Sequence, residues 1–220
     1  MNEEAALLAT ICAQRHDDRP RLVYADWLDD QGRCEQARFI RAQIAGEALD
    51  WLPFREPCID WLVPFTSVLA GLPRPHVTYE RGLVAGARVR APRFLRLAHD
   101  LFRAWPLRAV QITELTGPGL YALWQLPELL QLETLDLSNN RLTADDLAGL
   151  AWCPFVCELR ELILNHNPLV GQGFSLLRSC STLPKLARLH LIGTGSDPHP
   201  LPDWLRQLSN LPALHTVIVD

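Results

Sequence analysis

LETLDLSNNRL (Leu132–Leu142) is followed 27 residues later by LRELILNHNPL (Leu159–Leu169), and both satisfy LxxLxLxxNxL at every fixed position. A third copy, LARLHLIGTGS from Leu186, keeps the apolar positions and places Thr194 where the others have asparagine. LHTVIV from Leu214 is a fourth, LRAVQI from Leu107 an earlier one, and VAGARV from Val84 a degenerate one before it. The first positions of these copies lie 23, 25, 27, 27 and 28 residues apart (84, 107, 132, 159, 186, 214). Self-similarity at a fixed period means stacked units, because one unit cannot cover its own leucines. Alternation within each copy means a short strand: Leu135 and Leu137 point to a core while Thr134, Asp136 and Ser138 point away from it. Parallel strands then line the inside of the stack. Asn140, Asn167 and Thr194 fall where the chain leaves its strand, and a buried side chain there can satisfy main-chain groups of the turn. Leu115 holds that place one copy earlier, so the ladder of turn residues is expected to be incomplete there.

The motif resembles the leucine-rich-repeat family, and the repeat lengths resemble its ribonuclease-inhibitor-like class, with helices on the outer side. Thr143 to Trp152 reads as such a helix, opened by a Thr-x-x-Asp cap, with counterparts at Gly119–Leu130, Gly173–Cys180 and Pro202–Leu208. Trp124, Trp152 and Trp204 are expected in the core or half-buried between helix and sheet. The resemblance implies an α/β fold: a curved solenoid of about five to six repeats over 81–220, parallel strands inside and helices outside, behind a small all-α domain.

That domain spans 1–48. Asn2 caps a first helix carrying Leu7, Leu8 and Ile11; Asp18 and Pro20 open a second that Gly32 stops; Glu35 to Ala48 forms a third. The stretch RLVYADWLDDQGRCEQARFIRAQ, most specifically Tyr24 to Leu28, resembles the bacterial repeat-companion domain, which brings no established activity. Residues 49–80, rich in proline and tryptophan, are expected to connect it to the first repeat. Within the helical domain, Asp26 is expected to pair with Arg21 or Arg38, and Asp29 and Asp30 to be solvated.

Composition bounds the rest. Of 220 residues 48% are hydrophobic and 21% charged, with net charge −4, which excludes disorder and collagen-like structure. Glu3 and Glu4 stand where an export signal needs positive charge, and no uncharged stretch reaches the roughly 20 residues of a membrane span; a cytoplasmic protein is expected. The six scattered cysteines form no CxxC pair, so neither a disulfide framework nor a metal site is expected. GxSxG, GxxxxGK[ST], HExxH and GxGxxG are all missing from the sequence, and with no cofactor implied either, no enzyme is expected.

Charge is segregated. Residues 1–60 hold twelve acids and seven arginines, 81–113 hold seven arginines and one acid, and 114–220 hold eleven acids and six bases. The arginines from Arg81 to Arg108 are expected to dock the acidic helical domain. Their alternative is a polyanion or nucleic-acid site, which the missing base-stacking aromatics and the acidic total disfavour. Strand positions pointing away from the core, on the concave face of the curved solenoid, give the binding face expected for an unidentified protein partner, in line with the interaction and scaffold role that the family implies: Arg88, Arg90, Gln111, Thr134, Asp136, Glu161, Ile163, Asn165, Arg188, His190, Ile192 and Ile218. Three aliphatic residues at outward positions, ringed by Glu161, Arg188 and His190, have the composition of a protein-binding patch. After the last strand either an open edge pairs with something, a second copy included, or Trp204 and Leu211 fold over it.

Overall fold

The computed structural model describes residues 3–47, 77–143, 145–169, 180–194 and 211–219. They fall into two compact units, one comprising Met1–Ala87 with His99–Leu107, the other Arg88–Ala98 with Arg108–Asp220.

In the first unit three helices, α1 (Glu3–Ala13), α2 (Arg19–Asp30) and α3 (Cys34–Ala45), close on Ile11, Ala25, Leu28, Ala37 and Ile40, all fully buried. Pro20 sits in the first turn of α2, where its missing N–H costs nothing. Gly46, in the left-handed conformation, ends α3 at Ala45, three residues before the expected limit. The Asp26 carboxylate accepts from Arg41, not from Arg21 or Arg38, and Asp29 shares that guanidinium at 2.6 and 2.7 Å respectively. The three-residue spacing sets both acids on one face of α2, within reach of one arginine on α3. Arg21 is instead buried and donates to the Asp17 carbonyl at 2.8 Å. Tyr24 donates to Glu4 at 2.8 Å, and Arg33 reaches the same carboxylate at 2.6 Å, tying α1 to α2. Where a connector is expected up to residue 80, Val77–Glu80 forms strand β1, antiparallel to β2 (Leu83–Arg90). Its turn requires Gly82: φ is +79°, and a Cβ would overlap the Ile40 backbone.

Helix α4 (Ala91–Ala104) follows β2 directly, burying Phe94, Ala98, Leu101 and Phe102. Then come β3 (Ala109–Thr113), helix α5 (Gly117–Leu123), a 3-10 helix at Pro127–Gln131, β4 (Thr134–Asp136), 3-10 helices at Asp146–Trp152 and Pro154–Val156, β5 (Glu161–Ile163), β6 (Arg188–His190) and β7 (Thr216–Ile218). Among the described residues the sheet has seven strands in chain order and is mostly parallel. Register is that of the repeat: Val110, Leu135, Leu162, Leu189 and Val217 stand opposite one another, and the first four are buried. Strands β3 to β6 each leave the sheet through a left-handed residue, at Glu114, Asn139, His166 and Gly193 in turn (φ 56° to 63°).

After α5 the described outer segments are wound more tightly than an α-helix. Thr143 and Asp146 cap one another, the Thr143 N–H donating to Asp146 at 2.8 Å and Asp146 N–H to the Thr143 hydroxyl at 3.4 Å, but the helix they open is 3-10. Trp124 is buried, its indole edge lying over Gly149 so closely that a Cβ would overlap it. Trp152 corrects the expectation for it, being 85% exposed at the helix end. Residues 173–179 and 202–208, with Trp204, lie outside the described residues. No helix among the described residues is long and apolar enough to cross a membrane.

Candidate functional site

Main-chain pairing fixes where each outward side chain stands. Glu133 and Thr134 N–H both donate to the Arg108 carbonyl, Arg160 and Glu161 to Glu133, Ala187 and Arg188 to Arg160, and His215 and Thr216 to Ala187. This repeating bifurcation stacks the outward residues in columns. One runs Thr134, Glu161, Arg188, Thr216; the next runs Gln111, Asp136, Ile163, His190, Ile218. Asn165 and Ile192 continue beyond the strand ends, with Asn165 Oδ1 accepting from Ile192 N–H at 2.8 Å. Ser138, read as outward, is buried, because the chain turns inward after Asp136 and the Asp136 carboxylate accepts from the Ser138 N–H at 2.8 Å.

Glu161 is the centre of the polar contacts. Arg188 grips it through Nε and Nη2, both at 3.0 Å, His190 Nε2 lies 2.8 Å from Oε1, and the Thr134 hydroxyl donates at 3.3 Å. The Arg188 guanidinium above all holds its carboxyl well below the usual range, at about 2, against a smaller opposing effect of burial. One step along the sheet, Gln111 donates to Asp136 at 2.8 Å. Around these groups Ile163, Ile192 and Ile218 are half-buried.

Arg88 and Arg90 are exposed, and Arg90 pairs with Glu114 at 3.0 Å. Of the other arginines expected to dock the helical domain, Arg81 pairs with Asp18 at 3.2 Å, whereas Arg108 is held inside the repeats by Glu133. Glu133 also lies 3.9 Å from Arg160, and Glu158 lies 2.7 Å from Lys185. Arg108, Glu133 and Arg160 are absent from the expected face. Their signal was available: they occupy the same place before three successive strands, with charge alternating from copy to copy.

The turn positions have a structural part. Asn167, fully buried, donates to the Leu137 and Leu164 carbonyls at 3.0 and 2.9 Å, and its Oδ1 accepts the Asn140 and Leu142 N–H groups, both at 3.0 Å. Asn140 does the same one repeat earlier, donating to Ile112 and Leu137 and accepting from Leu115 N–H at 2.9 Å. Leu115 brings no amide of its own, and its side chain goes to the core. Thr194, also fully buried, donates to the Leu191 carbonyl at 2.9 Å. Among the described residues no group of histidines, cysteines and carboxylates is arranged to hold a metal ion.

Residues 131–153 match the profile of the family described as Leucine Rich Repeat. This stretch, from the 3-10 turn before β4 to the buried Cys153, is a leucine-rich repeat, and the flanking strands repeat its register. No curated protein matches the chain.

Proposed function

We propose that this chain is a non-catalytic interaction module whose outward sheet face, from Arg88 to Ile218, binds another protein. The observation that carries it is the combination on β5–β7: isoleucines at half-buried outward positions, surrounded by polar groups already held in fixed geometry. Such a surface offers apolar area at little cost in side-chain ordering. Leucine-rich repeats generally mediate protein–protein interaction and are typically non-catalytic, which supports the same reading. In this proposal residues 1–48 are a repeat-companion-like helical domain, 49–80 a connector, and 81–220 a ribonuclease-inhibitor-like solenoid of about five to six repeats. All five described cysteines are free, which suits the reducing cytoplasm. β7 is last in the sheet order, and a second copy pairing along it belongs to the proposal as a separate outcome, read by sedimentation velocity.

The test is affinity capture from the source organism's lysate with the wild-type chain and an Ile163→Asp/Ile192→Asp variant of unchanged circular dichroism. A protein captured by the first and lost from the second supports the face. Equal capture by both overturns it, and capture of nucleic acid that salt removes supports the polyanion alternative.

A further inference from the structure

Resting on the binding face just proposed, we infer that its occupant is an extended protein segment in which an aliphatic side chain stands beside carboxylates. The face is electrostatically lopsided in a way the sequence total of −4 conceals. Around β4 to β6 its carboxylates lie low and are taken: the side chains of Glu133 and Glu161 are each 17% exposed, and Glu161 accepts from Arg188, His190 and Thr134. Asp136 accepts from Gln111 and from the Ser138 N–H. The guanidinium groups there stand proud, with Arg188 49% and Arg160 60% exposed.

A guanidinium carries five N–H donors, and Glu161 engages Arg188 through only Nε and Nη2, leaving donors for a second carboxylate. A basic segment would have to break this bidentate pair to find an acceptor. An acidic one adds to it. The apolar part sets the spacing: Ile163, His190 and Ile218 are in register on successive strands, so at about 4.8 Å per strand the two isoleucines stand roughly 10 Å apart with His190 between them. A leucine- or isoleucine-sized side chain lying over His190, itself 17% exposed, would touch both isoleucines, with its neighbours directed to Arg188 and Arg160. The net negative charge of the whole chain does not oppose this, because charges beyond a Debye length of about 8 Å are screened at physiological salt.

The experiment is selection of a random twelve-residue phage-displayed peptide library on the full chain, with synthetic copies of enriched peptides then measured by fluorescence anisotropy. We expect enriched sequences to share an aliphatic residue within three positions of an aspartate or glutamate. Their affinity should fall at least tenfold with Ile163→Asp and with Arg188→Glu, and several-fold with Arg188→Gln. Ile163→Thr, which keeps a β-branched side chain, is the second variant should Ile163→Asp not fold. Basic or uncharged sequences whose binding is still lost with Ile163→Thr would overturn the acidic partner while leaving the face intact. No enrichment, or peptides indifferent to every substitution, would overturn both the partner and the face.

Discussion

At Asn167 every amide function is spent on the main chain of two repeats: two N–H bonds to the Leu137 and Leu164 carbonyls, two acceptances from Asn140 and Leu142. Truncation strands buried donors and acceptors, each costing about 1–3 kcal/mol, so Asn167→Ala is expected to destabilise by about 3 kcal/mol in urea unfolding monitored by circular dichroism. Thr194→Val removes one hydroxyl donor at the equivalent turn and should cost only about 1 kcal/mol. Equal costs at the two positions would show that the amide ladder is not what holds the turns. Glu161 makes a different residue-scale prediction. Its folded pKa of about 2 lies below the ordinary 4.5, so its ion pairs contribute stability that is complete above pH 4.5 and lost as pH falls toward 2. Because Arg188 is half-exposed, solvent screening keeps that contribution near 1 kcal/mol. Glu161→Gln should therefore flatten the loss of stability across that window, and an unchanged acid limb would rule the contribution out.

Elements differ in how openly the sequence writes them. The strands were legible because alternation and the period of 25 to 28 agree at Leu135, Leu162 and Leu189, where every apolar residue has one core to face. The turn residues were legible for the same reason, as polar positions inside an apolar period. Helix α4 was not: Phe94, Ala98, Leu101 and Phe102 do recur at helical spacing, but the arginines between them direct attention to charge, and Pro92 resembles a breaker although it is harmless in a first turn. The character of the outer helices was hidden as well. Thr143 and Asp146 make the expected cap, yet Gly149 is there to admit the Trp124 indole, and the resulting close approach accompanies 3-10 winding. Gly149→Ala tests this contact. On helix propensity alone the change should stabilise by up to about 1 kcal/mol; with the indole displaced it is expected to destabilise by about 1–3 kcal/mol in thermal unfolding. A raised melting temperature would mean that Trp124 yields freely.

Over the whole molecule, the sequence disclosed the repeating body and the residue types on its outward face, but not how charge on that face is shared out. Seven arginines between Arg81 and Arg108 read as one basic patch; in three dimensions Arg81, Arg90 and Arg108 are each given an acid, at Asp18, Glu114 and Glu133. Two of those acids lie a repeat or more further along the chain, which is why no local count could reveal the pairing. Paired arginines make poor phosphate ligands, since a nucleic acid must displace a bonded carboxylate before it releases any counterion. A labelled twenty-base-pair DNA is therefore expected to bind weakly at 50 mM salt and not measurably at 150 mM. Arg88, Arg96 and Arg103, all exposed, are the residues through which any such binding would act. If the anisotropy stays high at 150 mM and falls with Arg88→Glu, the arginines function as a patch despite their partners, and the polyanion reading displaces the protein-binding one.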